Sequence, residues 1–376
     1  MMLPRHILPC AVFFCIFVAS MDAQTPTLLS EFAEKPGYPE LLENNAVELL
    51  DENSFYVSLM ESISGAENYV LMESFIFSDG PLATRILDLL AEKVSQGVRC
   101  YLILDYVGCL AYLRRDFKRG YIESYKEKGV NIVFYNRDSF MPRNHRKLVI
   151  VDGKAAFTGG LNVTEKEGTY ESGFYHDRHI KIEGPAVKTF YFGFFRMWNS
   201  CGNCPLDIKI PDAPAPAGDV PLVIIETAGC QSKPRTQDML ATLFDLTKDS
   251  LLIISPYILP DMKLRKDLIN TAKRGVKIKI LMGGTVDVPS FLYKFVVYPS
   301  RLLAEQKNIR FFIHPASFHH EKILISDGRL VWIGAHNLDI FSFYLDYELS
   351  VLLDNPEIAE TLEKHFAACA EIEQKP

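Results

Sequence analysis

The stretch NHRKLVIVDG, residues 144–153, places a histidine and a lysine two positions apart at the mouth of an apolar run. Nearly the same phrase, HHEKILISDG, returns at 319–328. Alternate side chains of an extended strand share a face, so His145 and Lys147 project to one side, and His320 and Lys322 do the same. The residues that follow, LVIV and ILIS, are apolar enough to be buried on both faces. Each histidine and lysine is therefore expected at the end of a rigid, buried element. Both runs close in Asp-Gly, a strong hairpin signal, with Asp152 and Asp327 in the turns. Small residues then precede an asparagine: Gly159 and Gly160 before Asn162, Gly334 and Ala335 before Asn337. Such residues let backbone approach a ligand closely.

Outward from this phrase the whole half repeats. YVLMESFIF (69–77) corresponds to LLIISPYIL (251–259), and RCYLILD (99–105) to KIKILMG (277–283). The amphipathic stretches 81–98 and 260–276, closed by Gly97 and Gly275, read as paired helices. A further strand pair, NIVFYN (131–136) and NIRFFIH (308–314), leads into the histidine phrases. Between the copies, PLDIKIPDAPAPAGDVPLV is rich in Pro and Ala and lacks helical periodicity, which marks a linker. The expected fold is α/β: two tandem lobes, residues 40–204 and 222–376 around a linker at 205–221, each a mixed sheet flanked by helices. A pseudo-twofold axis would bring equivalent elements together between them.

At 376 residues the chain is longer than one hydrophobic core usually grows, which agrees with two lobes. A net charge of -7 argues against a broad nucleic-acid-binding surface, since the averaged field repels a polyanion. The first 23 residues carry one Arg and one His, an apolar run from Ile7 to Ala19, and small residues around Ser20 and Ala23. That is the layout of a secretory signal, with an uncleaved anchor as the alternative. The chain is expected to be exported, soluble or peripheral to a membrane. Six of eight cysteines lie beyond this segment, and CGNC at 201–204 is the obvious local pair. It follows an aromatic helical stretch, not a strand, so a structural disulfide or idle thiols fit better than redox chemistry. Without a second such pair it does not make a zinc site.

A site assembled from both copies would hold two histidines, two lysines and two asparagines. Lysine and amide donors suit the nonbridging oxygens of a phosphate. One histidine can attack phosphorus while the other protonates the departing oxygen and then deprotonates the incoming one. This chemistry requires no metal and no cofactor, and no carboxylate cluster suited to a metal is visible. A single HxK at a strand end is ordinarily a packed side chain. Two copies of HxKxxxxD, each followed six residues later by G(G/A)xN, are what make it a site.

This double pattern resembles the phospholipase D superfamily, and the strand and helix phrases look most like its bacterial cardiolipin synthase branch. The likeness runs over roughly residues 40–370. It implies two-step phosphodiester chemistry through a phosphohistidine, with His145 as nucleophile and His320 as acid and base. It also implies that each histidine takes a carboxylate partner from downstream of the opposite motif: His145 with Glu348 and His320 with Asp177. Asp152 and Asp327, in turns and on the opposite strand parity to the lysines, are assigned to holding the site or simply to the turns. His179 shares a face with Asp177, where it either supports the dyad or packs. The branch often has Arg and Ser after its second Asn-x-Asp, whereas NLDIFSFYLDYE has Phe341 where the Arg would stand. This leaves the headgroup and acceptor open.

Three readings follow. The first is a phosphatidyl hydrolase or transferase on a phospholipid such as phosphatidylglycerol, met at a membrane surface. It draws on apolar residues near the motifs: Phe140, Met141, CLAYL at 109–113 and VPSFLYKFVVY at 288–298. The helix-like VKTFYFGFFRMWN (187–199) is expected to be buried between the lobes. The second is a nuclease whose basic groove would be LRRDFKRG (113–120) and NRDSFMPRNHRK (136–147), runs that otherwise read as solvated faces. The third is a noncatalytic scaffold, which the completeness of both motifs disfavours. NVT at 162–164 matches a glycosylation acceptor, but a sugar on Asn162 would block the phosphate, so the match is read as chance.

Overall fold

The computed structural model describes residues 27–78, 80–113, 119–164, 175–202, 206–209, 212, 214–230, 232–233, 235–283, 302–314, 317–370 and 372–373. The strands of the first half are β1 (Leu42–Asp51), β2 (Tyr69–Ser74), β3 (Arg99–Asp105), β4 (Asn131–Tyr135), β5 (Leu148–Val151), β6 (Ala155–Gly159), β7 (Tyr175–His176) and β8 (Arg178–Glu183). Those of the second are β9 (Val220–Thr227), β10 (Ser250–Ile254), β11 (Lys277–Gly283), β12 (Ile309–His314), β13 (Phe318–His319), β14 (Ile323–Ser326), β15 (Leu330–Gly334), β16 (Glu348–Asp354) and the short β17 (Ile372–Glu373). The strand order β1-β8-β6-β5-β2-β3-β4 is matched by β9-β16-β15-β14-β10-β11-β12. In each half the helix-linked strands β2-β3-β4 and β10-β11-β12 run parallel, and the rest antiparallel.

The two sheets are not separate. β1 pairs with β9, so both halves form one 15-stranded sheet. The seam is short: Leu42 faces Leu222 and Asn45 faces Val220, with an irregularity between them. Pro221, which has no N–H for a ladder, falls at that irregularity. The polar stretch LENNAVELLD of β1 carries little periodic signal, which is why the seam is not visible in sequence.

Strands at the centre of each half are apolar on both faces because both faces are covered. In β2, Tyr69 and Leu71 join one core while Val70 and Met72 join another. The first of these cores is shared between halves. It gathers Phe190, Tyr191 and Phe194 of α6 (Ala186–Ser200) with Leu222, Ile323, Ile333 and Leu349 of the second half. The aromatic helix predicted to lie between the lobes does so.

Continuous apolar runs have no phase, and one register differs from the sequence reading for that reason. The Ser74 and Ser255 hydroxyls each donate to a backbone carbonyl two residues on, Ile76 and Tyr257, at 2.7 Å. Tyr69–Phe77 therefore superposes on Ser250–Ile258, one residue from the pairing that the apolar runs suggested.

Both Asp-Gly turns have two residues in the left-handed region, Asp152 and Gly153 (φ 54° and 66°) and Asp327 and Gly328 (φ 51° and 62°). Each aspartate also captures a neighbouring loop. Asp152 accepts from the N–H groups of Glu67, Asn68 and Tyr69, and Asp327 from those of Lys248, Asp249 and Ser250, at 2.8–2.9 Å. Five residues at about 3.3 Å each put these carboxylates roughly 17 Å along the strand from Lys147 and Lys322. They tie the hairpin to the entry of β2 or β10 and lie away from the lysine end. Replacing Asp327 by Ala should therefore cost about 2–3 kcal/mol in urea denaturation, the worth of charge-assisted bonds to three backbone donors. A stability equal to that of the parent chain would contradict this assignment.

Candidate active site

At the other end of these hairpins the halves cross. The His145 N–H donates to the Tyr347 carbonyl at 2.9 Å, and the His320 N–H to the His176 carbonyl at 2.8 Å. Each histidine is thus stitched to the segment of the opposite half that precedes β16 or β8. The next residue in each segment is a carboxylate. His145 Nδ1 lies 3.0 Å from both Glu348 oxygens, and His320 Nδ1 lies 2.6 Å from Asp177 Oδ2. The structure brings together both pairs that the resemblance implied. With Nδ1 turned to the carboxylate, Nε2 is the nitrogen on the far side of each ring.

Glu348 and Asp177 are fully buried, and their surroundings hold them. Glu348 Oε1 accepts the Ser342 hydroxyl at 2.5 Å, and Asp177 Oδ1 accepts the Arg178 N–H at 2.7 Å. Ser342 was not among the residues singled out in sequence, although it stands at the Ser position of the Arg-Ser pair that the branch often carries, next to Phe341. The small residues before the asparagines have a cause different from the one expected. A Cβ on Gly160 would stand 2.2 Å from Asp177 Oδ1, and one on Gly334 would stand 2.2 Å from Ser350 Oγ. Gly160 makes room for the carboxylate of the second dyad. Gly160→Ala should force that carboxylate aside and destabilise the chain by about 1–3 kcal/mol, the usual cost of overpacking, read from chemical denaturation.

Lys147 Nζ donates to the His145 carbonyl at 2.7 Å, and Lys322 Nζ to the His320 carbonyl, so both ammonium groups are drawn back toward the histidines. Asn162 Oδ1 accepts the Ile76 N–H at 3.2 Å, which fixes which end of its amide donates. The N–H of Asn337 donates to Ser342 Oγ at 3.1 Å. Phe75 presents an edge-on contact to the His145 ring at 4.6 Å between centroids, and Tyr175 and Phe318 flank His320.

Burial dominates the electrostatics. It holds His145 well below the usual imidazole range, and Lys147, Lys322, His320 and His336 add to this. The contribution from Lys322 and His320 shows that the second motif faces the first. Burial also raises Glu348 well above the carboxylate range. Both shifts favour the uncharged forms of this pair. Burial pushes Asp177 up to about 7 against the pull of Lys322.

His179 sits in the same interior. Its Nδ1 accepts the Leu161 N–H at 3.3 Å and its ring lies against Phe55, centroids 4.0 Å apart, so it holds the loop before Asn162 and packs at once. The basic run 136–147 around His145 is neither a solvated face nor a groove at two of its positions. Arg143 is buried against Asp105 at 3.2 Å, and Arg146 lies between Glu73 and Glu226 at 3.3 and 3.4 Å. Asn162 is buried and bonded, which makes it inaccessible as a glycosylation acceptor. CLAYL lies within the helix α4 (Tyr106–Leu113), where Cys109 is buried. The N-terminal segment, Cys204, VPSFLYKFVVY and most of LRRDFKRG lie outside the described residues.

A duplicated α/β lobe whose histidine strands cross at one site is the architecture of phospholipase D-like proteins. A sequence-family profile described as "Cardiolipin synthase, PLD-like domain" matches residues 59–182 and 240–370, and the chain belongs to this family. It is 30% identical over 338 residues to the probable cardiolipin synthase YwiE of Bacillus subtilis, covering 86% of this chain and 65% of that protein. It is 28% identical to the cardiolipin synthase of Oceanobacillus iheyensis, covering 87% of this chain and 69% of that one. The chain thus spans about two thirds of the length of these relatives. Among solved structures, the phosphatidylserine synthase of Haemophilus influenzae Rd KW20 superposes with a TM-score of 0.72 at 14% identity, covering 92% of this chain and 90% of that one.

Proposed function

We propose that this chain is an exported phosphatidyltransferase that cleaves the headgroup phosphodiester of a phospholipid and passes the phosphatidyl group to an acceptor hydroxyl. The observation that carries the reading is the crossed pair of histidine–carboxylate bonds, which offers two oriented imidazoles to one phosphate. His145 Nε2 attacks phosphorus, the bond to the headgroup oxygen breaks, and His320 gives that oxygen its proton. An acceptor hydroxyl then attacks phosphorus, loses its proton to His320, and the phosphorus–nitrogen bond breaks. Lys147, Lys322, Asn162 and Asn337 supply positive charge and donors for the nonbridging oxygens. The family order of motifs and the uncharged state of His145 both support His145 as nucleophile.

The cardiolipin synthase names of the relatives support a lipid substrate with phosphatidylglycerol as donor. So do exposed apolar groups close to the site. Phe140, 72% exposed, precedes the His145 strand, and Phe341, 47% exposed, follows Asn337 in α9 (Ile340–Tyr344). A bond from the Arg143 N–H to Asp346 Oδ1 at 3.3 Å holds the two segments together, and an exposed phenylalanine on each suits contact with a bilayer surface. Among the described residues no helix is long and apolar enough to cross a membrane. The nuclease reading loses two cations of its groove, Arg143 and Arg146, to buried ion pairs.

Purified chain incubated with phosphatidylglycerol vesicles should yield cardiolipin or phosphatidic acid by mass spectrometry, and His145→Ala should abolish both while remaining folded. Untouched lipid together with cut single- or double-stranded DNA would replace this reading with the nuclease. The pH profile tests the division of roles. A carboxyl raised to about 7 keeps its proton as the pH climbs to that point and loses it above. The His320–Asp177 pair, which must deliver a proton to the leaving oxygen, therefore loses it on the alkaline side, and kcat/KM should fall above about pH 7. Asp177→Asn should remove that limb and lower the rate about 10²–10⁴-fold, as when a triad carboxylate is neutralised.

A further inference from the structure

Beside the second dyad lies a part-buried cluster that the proposed chemistry does not use. Four of the nine histidines meet there with Cys369 and Glu321. The His176 and His319 rings are stacked with centroids 4.9 Å apart, and the ring of His365 lies 5.7 and 6.1 Å from them. His314 approaches His319 at 5.9 Å. Donor atoms of His176, His319 and Cys369 all lie within 4.8 Å of one another, and so do those of His319, Glu321 and His365. Cys369 Sγ is 3.8 Å from His365 Nδ1.

The carboxylates orient these rings. Fully buried Glu321 holds His319 Nδ1 at 2.9 Å with one oxygen and His365 Nε2 at 2.6 Å with the other. His176 Nδ1 faces Glu52 at 3.7 Å. His176, His319 and His365 thus each have one nitrogen turned to a carboxylate, the arrangement that carboxylates impose on metal-bound histidines.

The pseudo-twofold relation shows that the fold does not need this chemistry here. Counted from the paired motifs, the equivalents of His319 and Glu321 are Asn144 and Arg146. Counted from the paired carboxylates, those of His176, His365 and Cys369 are Tyr347, Phe194 and Trp198. The first half fills the place with aromatic packing and an Arg146 ion-pair cluster. The second collects nitrogen and sulfur donors.

The geometry points to a site for one divalent transition-metal ion of the zinc class, bound by His176, His319 and Cys369, with His365 Nδ1 as fourth donor. Around a tetrahedral ion with bonds of about 2.0–2.3 Å, donor atoms stand about 3.3–3.8 Å apart, so the donor atoms of His176, His319 and Cys369 need to close by about 1 Å. Two contacts must yield on binding: the Ser317 hydroxyl 3.0 Å from His319 Nε2, and Arg178 Nη2 3.1 Å from His365 Nδ1. Arg178 has its own anchor in Glu52 at 2.7 Å. A Cys369 thiolate and the Glu321 carboxylate supply the negative charge that a dication requires. The ligands flank His320 and precede Asp177, and β13 and β7 pair in parallel at this point. The ion would brace the clamp that carries the second dyad and leave the reacting atoms untouched.

The test needs no enzymatic activity and is independent of the lipid reading. Purified full chain, stripped with a chelator and dialysed, is titrated with Co²⁺. One equivalent should bind with a thiolate-to-cobalt charge-transfer band, and added Zn²⁺ should bleach it. Cys369→Ser should lose the band with an unchanged circular dichroism spectrum, His176→Gln should weaken binding at least tenfold, and Cys230→Ser, at an exposed cysteine, should leave the band intact. Absence of a bound equivalent in folded parent chain, or a band that survives Cys369→Ser, would overturn the site.

Discussion

Two hydrogen bonds, His145 to Glu348 and His320 to Asp177, govern the rest of the molecule, because each joins one half of the chain to the other. A buried carboxylate is tolerable only with a partner, and both of these are fully buried. Each accepts one hydrogen bond from its own half, from Ser342 or from the Arg178 N–H, and meets its histidine from the other. The backbone bonds from His145 to Tyr347 and from His320 to His176 lock the same crossing. The continuous sheet, the shared core around α6 and the two hairpins then serve to hold this crossing rigid.

Duplication supplies two copies of every part, but the copies sit in different surroundings. Glu348 is held by a serine hydroxyl, Asp177 by the next backbone N–H. Phe75 meets His145 by its edge, while Phe318 stacks on His320. The proposed mechanism divides attack from proton transfer, for which a symmetric pair of histidines would have no reason. The unequal environments, with His145 pressed toward the neutral state and Asp177 raised to about 7, provide one. The same asymmetry reappears beside the dyads, where one half packs aromatics around an arginine and the other gathers histidines around a cysteine.

The carboxylate of the HxKxxxxD phrase illustrates how a motif joins unlike tasks. Its histidine and lysine stand at the crossing, whereas Asp152 and Asp327 lie at the far turn and bind three backbone N–H groups each. The spacing is that of one strand. A residue needed at each end of a buried strand appears in sequence as a single signature, although the two ends share no chemistry.

The sequence by itself determined the duplication, the strand ends that carry His145, Lys147, His320 and Lys322, the Asp-Gly hairpins and the burial of the aromatic helix. These depend on local periodicity and turn chemistry, which are written along the chain. The pairing of Asp177 and Glu348 with opposite histidines was legible only through resemblance, since no local pattern links residues 143 or 203 positions apart. Tertiary structure alone decided the rest: the β1–β9 seam, Ser342 on Glu348, the burial of Arg143 and Arg146, and the gathering of His176, His319, His365 and Cys369. Each of these arises where segments distant in sequence close on one another, and a contact formed by folding leaves no spacing to read.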